Sequence, residues 1–250
     1  MMLFEICIDS VEGALAAQAA GAQRVELCDN LVEGGTTPSI GMLEIVRKSV
    51  TIAVNVLIRP RGGDFCYTDL ELEVMRRDIL AAKQAGADGV VLGVLQPDGR
   101  VDEERTRALA AAARPLSVTF HRAFDLCRDP SEALESLCGL GIDRLLTSGQ
   151  KNSALEGVAC IASLVKQSAG RIVILAGGGV NAQSLPVLLA GSGVGEVHFS
   201  ARKVVESPML YRTPGIFMGK AYHPEEYIRK QTDAGLIRQV MEAAQSTSGS

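Results

Sequence analysis

Residues 85–92 read AGADGVVL, and this segment shows the pattern that decides the fold: the end of a helical stretch, a glycine, and a short apolar strand. The same junction returns at residues 20–27 (AGAQRVEL) and 140–147 (LGIDRLLT), and a looser copy occupies residues 190–198 (AGSGVGEVH). A glycine just past a helix supplies the left-handed backbone that ends it, so each copy marks a step from helix to strand. Repeated steps of this kind predict an alternating β/α fold.

Eight apolar segments are predicted to be strands, and helical patterns lie between them. The predicted strands are residues 3–8, 23–28, 53–59, 89–94, 116–121, 143–147, 172–176 and 195–199. The predicted helices are residues 10–20, 39–48, 69–86, 102–113, 130–139, 153–167, 181–190 and 224–245. Eight strands alternating with eight helices predict an α/β fold, a single (β/α)8 or TIM barrel, whose ligand site lies at the C-terminal ends of the strands. A doubly wound open sheet is the alternative.

The bulk composition is that of a globular protein. The chain has 250 residues, of which 47% are hydrophobic, and a formal net charge of −4. We expect one barrel domain over residues 1–245 and a disordered tail over residues 246–250. The charge gives no general attraction to nucleic acid or to an anionic membrane, and no apolar run is long enough to span a membrane. We therefore expect a cytoplasmic protein with neither nucleic acid nor membrane as a partner. We also expect a homodimer, because many barrels dimerise through their helices or loops.

The segment from Arg202 to His223 is long for a connection between a strand and a helix. In a barrel it would lie on the face that carries the ligand site. The sequence therefore predicts that this segment is a lid.

Strand alternation predicts polar side chains inside the barrel. In the first strand Phe4, Ile6 and Ile8 form the apolar face toward the helices, so Glu5 and Cys7 point inward. The same parity places further residues inside: Glu26, Cys28, Asn55, Leu57, Arg59, Thr119, His121, Glu196, His198 and Ser200. A buried carboxylate needs a cation or hydrogen-bond donors, and the expected partners of the inward carboxylates are Arg59, His121 and His198.

Cationic and small residues follow several strands and predict an anion site. A loop with two arginines and two glycines follows the third strand, and three consecutive glycines follow the seventh. Glycines after strand 7 and a small-residue end to strand 8 are typical of phosphate binding in barrels, although a tight turn would also explain the glycine run. The candidate ligand-binding residues are Arg59, Arg61, Arg122, Ser148, Gly177, Gly178, Gly179 and Ser200. The candidates for acid–base catalysis, if the protein is an enzyme, are His121, His198, Glu26 and Asp125.

Two of the six cysteines are candidate metal ligands. Cys7 and Cys28 share inward parity on neighbouring strands, whose backbones lie about 4.8 Å apart. Two thiolates so placed can hold Cu(I), which soft sulfur ligands favour. The alternative is that both thiols are small fillers of the barrel interior.

Several segments resemble the CutC family of copper homeostasis proteins. The matching segments are residues 24–28 (RVELC), 34–39 (GGTTPS), 58–65 (IRPRGGDF), 118–125 (VTFHRAFD), 146–149 (LTSG) and 196–198 (EVH). The resemblance spans about residues 3–245. It implies a TIM barrel, a cytoplasmic location and a role in copper tolerance with copper bound through cysteines, but no agreed reaction. Cys66, Cys138 and Cys160 lie outside these motifs and receive no ligand role from it.

Two functional hypotheses follow. The first is a copper homeostasis protein that binds Cu(I), its only expected cofactor, through inward-facing cysteines. The second is an enzyme that acts on a small anionic or phosphorylated metabolite, with arginines and glycines holding the anion while His121 and His198 move protons. Copper requires the thiols, whereas the anion requires the arginines. A scaffold role ranks third, because a structural barrel rarely keeps so many polar groups inside.

Overall fold

The computed structural model describes residues 2–216 and 227–245. The barrel strands are β1 (Leu3–Ile8), β2 (Arg24–Leu27), β3 (Ala53–Leu57), β4 (Gly89–Leu92), β5 (Ser117–Phe120), β6 (Arg144–Thr147), β7 (Val173–Gly177) and β8 (Glu196–Phe199). Each strand pairs in parallel with the next, and β8 pairs back onto β1, so the sheet is a closed barrel. The predicted (β/α)8 barrel is therefore confirmed, and the open sheet is wrong.

Helices alternate with these strands along the chain. They are α1 (Val11–Ala20), α2 (Ile40–Ser49), α3 (Asp69–Gln84), α4 (Glu103–Ala113), α5 (Pro130–Gly139), α6 (Val158–Ser168), α7 (Leu185–Ser192) and α8 (Ala234–Gln245). Short 3-10 helices follow β2 (Leu31–Glu33) and β5 (Arg122–Leu126). Among the described residues no helix has both the length and the apolar composition needed to cross a membrane.

The junction glycines act as the sequence suggests. Gly21, Gly86 and Gly141 have φ of +91°, +84° and +67°, the left-handed conformation that ends a helix without a steric penalty. In the looser fourth copy this conformation falls on Gly193, with φ of +71°, two residues after the predicted glycine. The start of α4 is also set by a local contact. The side chain of Asp102 accepts a backbone N–H from the first turn of this helix.

The region after β8 differs from the prediction. Arg202–Glu206 forms a strand, β9, that pairs antiparallel with β10 (Ile228–Thr232), so the helix predicted over residues 224–245 begins only at Ala234. The carboxylate of Asp233 accepts the backbone N–H of Leu236 and caps that helix at its true start. Of the predicted lid, residues 217–223 lie outside the described residues, and the first part of it is strand β9.

Two other helices start later than predicted. The segment before α6 approaches the end of β6 so closely that a Cβ on Gly157 would lie 1.9 Å from the carbonyl oxygen of Ser148. Residues 153–157 therefore form a turn against the barrel rather than the first turn of a helix. Before α7, the side chain of Asn181 accepts the N–H groups of Gln183 and Ser184 in a local turn.

Apolar residues fill the layer between strands and helices, and few fill the barrel itself. Phe4, Ile6 and Ile8 belong to the large outer cluster, as strand parity predicts. The inner cluster of buried apolar residues consists of Cys7, Cys28, Leu57 and Val91. Most of the remaining interior is therefore polar, and the polar groups define the site.

Candidate functional site

The N-terminal half of the barrel interior holds a buried ion network. Arg24 donates to the carboxylates of Glu5 and Glu196, and Arg144 donates to the same Glu196 oxygen at 2.8 Å. Arg24 is 5% exposed and Glu5 is fully buried. Of the three partners expected for the inward carboxylates, His198 contacts both Glu5 and Glu26. Arg59 and His121 do not pair with Glu5, because Arg24 takes that position from the start of β2.

Glu5 also holds the ring of His198. The Nδ1 atom of His198 lies 2.8 Å from Oε1 of Glu5, while its Nε2 lies 3.7 Å from Oε2 of Glu26. The two strands that carry this pair are neighbours in register, with Glu5 opposite His198. One ring nitrogen is therefore fixed by a carboxylate and the other faces the C-terminal half of the barrel.

Two cysteines and a carboxylate complete the group around His198. The Sγ atoms of Cys7 and Cys28 lie 3.9 Å apart, and Sγ of Cys28 lies 3.3 Å from Oε2 of Glu26. One donor atom each from Cys7, Glu26 and His198 lies within 4.8 Å of the other two, close enough to share a metal ion. We call Cys7, Cys28, Glu26 and His198 the thiol cluster.

The two thiols of the cluster have pKa values shifted in opposite directions. The hydrogen bond from Cys28 lowers the pKa of Cys7 to about 5, although burial alone would raise it. Cys7 is therefore a thiolate. The same hydrogen bond, together with burial, raises the pKa of Cys28 well above its usual range. Cys28 therefore keeps its proton, for which Sγ of Cys7 at 3.9 Å and Oε2 of Glu26 at 3.3 Å are the two acceptors within reach.

The other two members of the cluster also have shifted pKa values. Burial raises the pKa of Glu26 to about 8, so this carboxyl group is largely protonated at neutral pH. Burial alone would lower the pKa of His198, but the acidic groups around its ring, first Glu26 and then Cys7 and Glu5, raise it well above the usual value. His198 is therefore an imidazolium in the metal-free protein.

A cavity of about 400 Å³ opens above the thiol cluster. It lies at the C-terminal ends of the strands, where barrel proteins place their ligands. Its lining includes predicted site residues and others: Cys7, Glu26, Leu31, Glu33, Gly34, Leu57, Arg59, Phe65, His121, Arg122, Leu146, Gly178, Gly179, His198, Phe199, Ser200 and Arg202. The structure thus brings nine of the predicted site residues to one cavity: Cys7, Glu26, Arg59, His121, Arg122, Gly178, Gly179, His198 and Ser200.

The remaining predicted residues lie beside the cavity lining. Asp125 accepts hydrogen bonds from Arg122, Thr147 and the hydroxyl and N–H of Ser148, so it orients the wall rather than facing a ligand. Arg61 is not among the lining residues, because its guanidinium is paired with Asp64 and Glu71. Cys28 lies beneath Cys7 at 2% exposure.

The glycine run after β7 has a steric reason. A Cβ on Gly177 would lie 2.6 Å from Cδ1 of Leu146 and 3.1 Å from Cβ of His198, so only glycine lets these side chains pack inside. Gly178 has φ of +105°, and its backbone lies against Ser148 and the guanidinium of Arg122, 3.1 Å and 3.4 Å from where its Cβ would be. Gly177 therefore shapes the interior, whereas Gly178 lines the cavity.

Sequence reasoning missed Arg24 and Arg144. Both are the first residues of their strands, and strand parity puts Arg24 on the same side as Glu26. Strand parity alone could therefore have placed Arg24 inside the barrel. Arg144 and Glu196 lie on the two strands that flank β7, and their contact leaves no local mark in the sequence.

Fold and site together define a class: a TIM barrel with thiol, imidazole and carboxyl groups of metal-ligand type at the C-terminal ends of β1, β2 and β8. The CutC family model matches residues 2–203, and the chain belongs to that family. The resemblance inferred from the motifs is thereby confirmed.

Individual relatives agree with this assignment. The human copper homeostasis protein cutC homolog is 52% identical over 236 residues, which cover 94% of this chain and 86% of the human protein. A CutC family protein of Chromobacterium violaceum is 51% identical over 241 residues, covering 96% of this chain and 97% of that protein. The crystal structure of CutC from Streptococcus agalactiae is 38% identical, with a TM-score of 0.77 over 80% of this chain and 99% of that one.

Proposed function

We propose that this protein binds one Cu(I) ion inside the barrel through the sulfurs of Cys7 and Cys28, as part of copper homeostasis. The observation that carries the proposal is the 3.9 Å between the two Sγ atoms. Metal–thiolate bonds are about 2.3 Å long for a first-row ion such as zinc, so two sulfurs up to roughly 4.6 Å apart can share one ion. Soft sulfur donors favour Cu(I) over the harder cations.

The imidazole of His198 is the third donor in this proposal. Its Nδ1 is held by the carboxylate of Glu5 at 2.8 Å, which leaves Nε2 on the side of Cys7 and Glu26. A histidine that ligates a metal ordinarily donates its other ring N–H to a carboxylate or carbonyl, which fixes the ring and strengthens the donor. Glu5 supports His198 in this way.

The carboxyl group of Glu26 favours the same choice of ion. Because burial raises its pKa to about 8 in the metal-free protein, it is a weaker source of a charged oxygen ligand than an ordinary glutamate. The donors are then two sulfurs and one nitrogen, a set that suits Cu(I) better than Mg²⁺ or Ca²⁺, which require charged oxygens. The protein would act in the reducing cytosol, since both thiols must remain unpaired to hold the ion.

The name of the human relative, a copper homeostasis protein, supports the same ion. The test is a titration of the anaerobic, reduced protein with Cu(I) against a competing chelator. We expect tight one-to-one binding in the wild type and its loss in Cys7→Ser/Cys28→Ser. The matched control is Cys138→Ser/Cys160→Ser, which changes two half-buried thiols on α5 and α6 and should leave binding intact.

Failure of the wild type to compete with the chelator would contradict the proposal. So would equal loss of binding in the control variant. Competition by Zn²⁺ at comparable concentration would assign the cluster to a different metal, because a zinc site accepts the same sulfur and nitrogen donors.

A further inference from the structure

Arg59 is a buried cation without a carboxylate partner among the described residues. It is 6% exposed, and its Nη atoms donate to the backbone carbonyl oxygens of Glu33, Gly35 and Gly63. Its Nε has no hydrogen-bond partner among the residues described. The other buried arginine of the barrel, Arg24, has two carboxylates. Carbonyl dipoles satisfy N–H groups but supply no countercharge, so Arg59 lines the cavity without a direct ion pair, although the exposed Glu33 also lines it.

His121 adds a second unused donor to the same cavity. Its ring is 5% exposed, and its Nδ1 accepts the backbone N–H of Ala123 at 3.2 Å. A neutral ring whose Nδ1 accepts carries its proton on Nε2, and that Nε2 has no partner within the described part of the chain. Buried donors are nearly always satisfied in native proteins, so this one is available to a ligand or a water molecule in the cavity.

One aromatic ring lies beside both groups. The guanidinium carbon of Arg59 is 5.0 Å from the ring centre of Phe65, and the imidazole of His121 is 4.9 Å from the same ring centre. All three side chains line the cavity. Phe65 therefore places the cation and the neutral donor beside a single apolar ring.

We propose that the mouth of the barrel binds a small organic oxyanion, a carboxylate or phosphate ester, through the guanidinium of Arg59 and the Nε2–H of His121. A water molecule could satisfy the free N–H groups but could not neutralise the charge of Arg59. The cavity of about 400 Å³ exceeds the size of an inorganic ion and lies in the usual range for metabolite sites. The proposed donors lie in the same cavity as Cys7, Glu26 and His198 but are different side chains from the proposed copper ligands, so variants can test the two sites one at a time.

The role assigned to His121 changes accordingly. Burial, with the nearby charge of Arg59, lowers the pKa of His121 to about 3, and its Nδ1 is already occupied by Ala123. His121 is therefore a fixed hydrogen-bond donor to an anion rather than a group that moves protons. Arg61 stays outside the proposed site, because Asp64 and Glu71 neutralise it.

The test is a titration of the full-length, metal-free protein with inorganic phosphate and, separately, with malonate at constant ionic strength. The readout is the ¹⁵N–¹H signals of Arg59 Nε and His121 Nε2. We expect a saturable shift of both signals with at least one anion. Preference for phosphate would identify a phosphorylated ligand and preference for malonate a carboxylic acid. The proposal is overturned if neither anion moves either signal.

Two variants test the residues. His121→Asn keeps an acceptor for the N–H of Ala123 but removes the Nε2–H, and Arg59→Lys keeps the charge but removes Nε; each should weaken binding about tenfold or more. Arg77→Lys, which changes an exposed arginine paired with Glu73, is the matched control and should bind as the wild type does. Equal affinity in all three variants would overturn the assignment. Cys7→Ser/Cys28→Ser should lose Cu(I) binding but keep a saturable anion-induced shift of both signals, which separates this result from the copper result.

Discussion

Glu5 and His198, which are 193 residues apart in the sequence, form a hydrogen bond of 2.8 Å in the interior of the barrel. Closure of the barrel creates this contact, because β8 pairs with β1 and sets the two residues opposite each other. The bond fixes the imidazole so that its free nitrogen faces Cys7 and Glu26. It links the buried ion network to the thiol cluster.

Replacing Glu5 by glutamine is expected to weaken Cu(I) binding. Loss of the carboxylate behind a ligating histidine typically costs about 10- to 100-fold in metal affinity. The measurement is the chelator competition described for the wild type, made alongside urea unfolding, because Glu5 also pairs with Arg24. A folded Glu5→Gln protein with wild-type affinity would show that His198 is not a ligand.

Cu(I) affinity should rise with pH. Cys28 and His198, whose pKa values are both raised, hold protons that must leave before either can ligate the ion. Protons therefore compete with copper, and the apparent affinity should increase from about pH 6 to about pH 8, with proton release on binding. Calorimetry in buffers of different ionisation enthalpy counts the released protons. Binding without proton release would contradict the proposed donors.

Replacing Glu26 by glutamine is expected to stabilise the metal-free protein above neutral pH. The pKa of Glu26 rises from 4.5 to about 8 on folding, so the folded state binds more protons and loses stability as the pH rises between these values. A glutamine removes that cost, and the free energy of unfolding should increase by roughly 4 kcal/mol at about pH 8.

The check on Glu26 is urea unfolding across this pH range. The gain should grow from acid to alkaline pH. A Glu26→Gln protein that is less stable than the wild type at alkaline pH would contradict the burial argument.

Removing the charge of Arg24 should destabilise the fold. Arg24→Met leaves the buried carboxylate of Glu5 without its arginine, and breaking a buried ion pair from one side costs about 3 kcal/mol or more. Arg171→Met breaks an exposed pair with Glu135 and should change stability little by comparison. Similar unfolding midpoints for the two variants would show that the interior network contributes no more than a surface pair.

Strand alternation predicted much of the barrel interior. The parity of β1 and β2 placed Cys7 and Cys28 inside on neighbouring strands, and their sulfurs lie 3.9 Å apart. Parity works here because a strand buried on one side by helices must turn its other face inward. The ends of the strands and most helices follow from equally local signals, chiefly glycines and N-cap residues.

Other features depend on contacts that the sequence does not show. The carbonyl partners of Arg59 come from the loops after β2 and β3, which contain left-handed residues such as Asn30, with φ of +46°, and Gly63, with φ of +80°. The pairing of β9 with β10 joins segments about 26 residues apart, and β10 has too short a pattern to exclude a helix. In both cases long-range packing selects one of several conformations that the local sequence permits.

Anomalous diffraction at the copper edge, on crystals of the reduced protein loaded with Cu(I), tests the central claim most directly. The account predicts one strong peak between the sulfurs of Cys7 and Cys28, about 2.3 Å from each and on the Nε2 side of His198. A peak at another cysteine, such as Cys66, or no peak in the barrel, would contradict it.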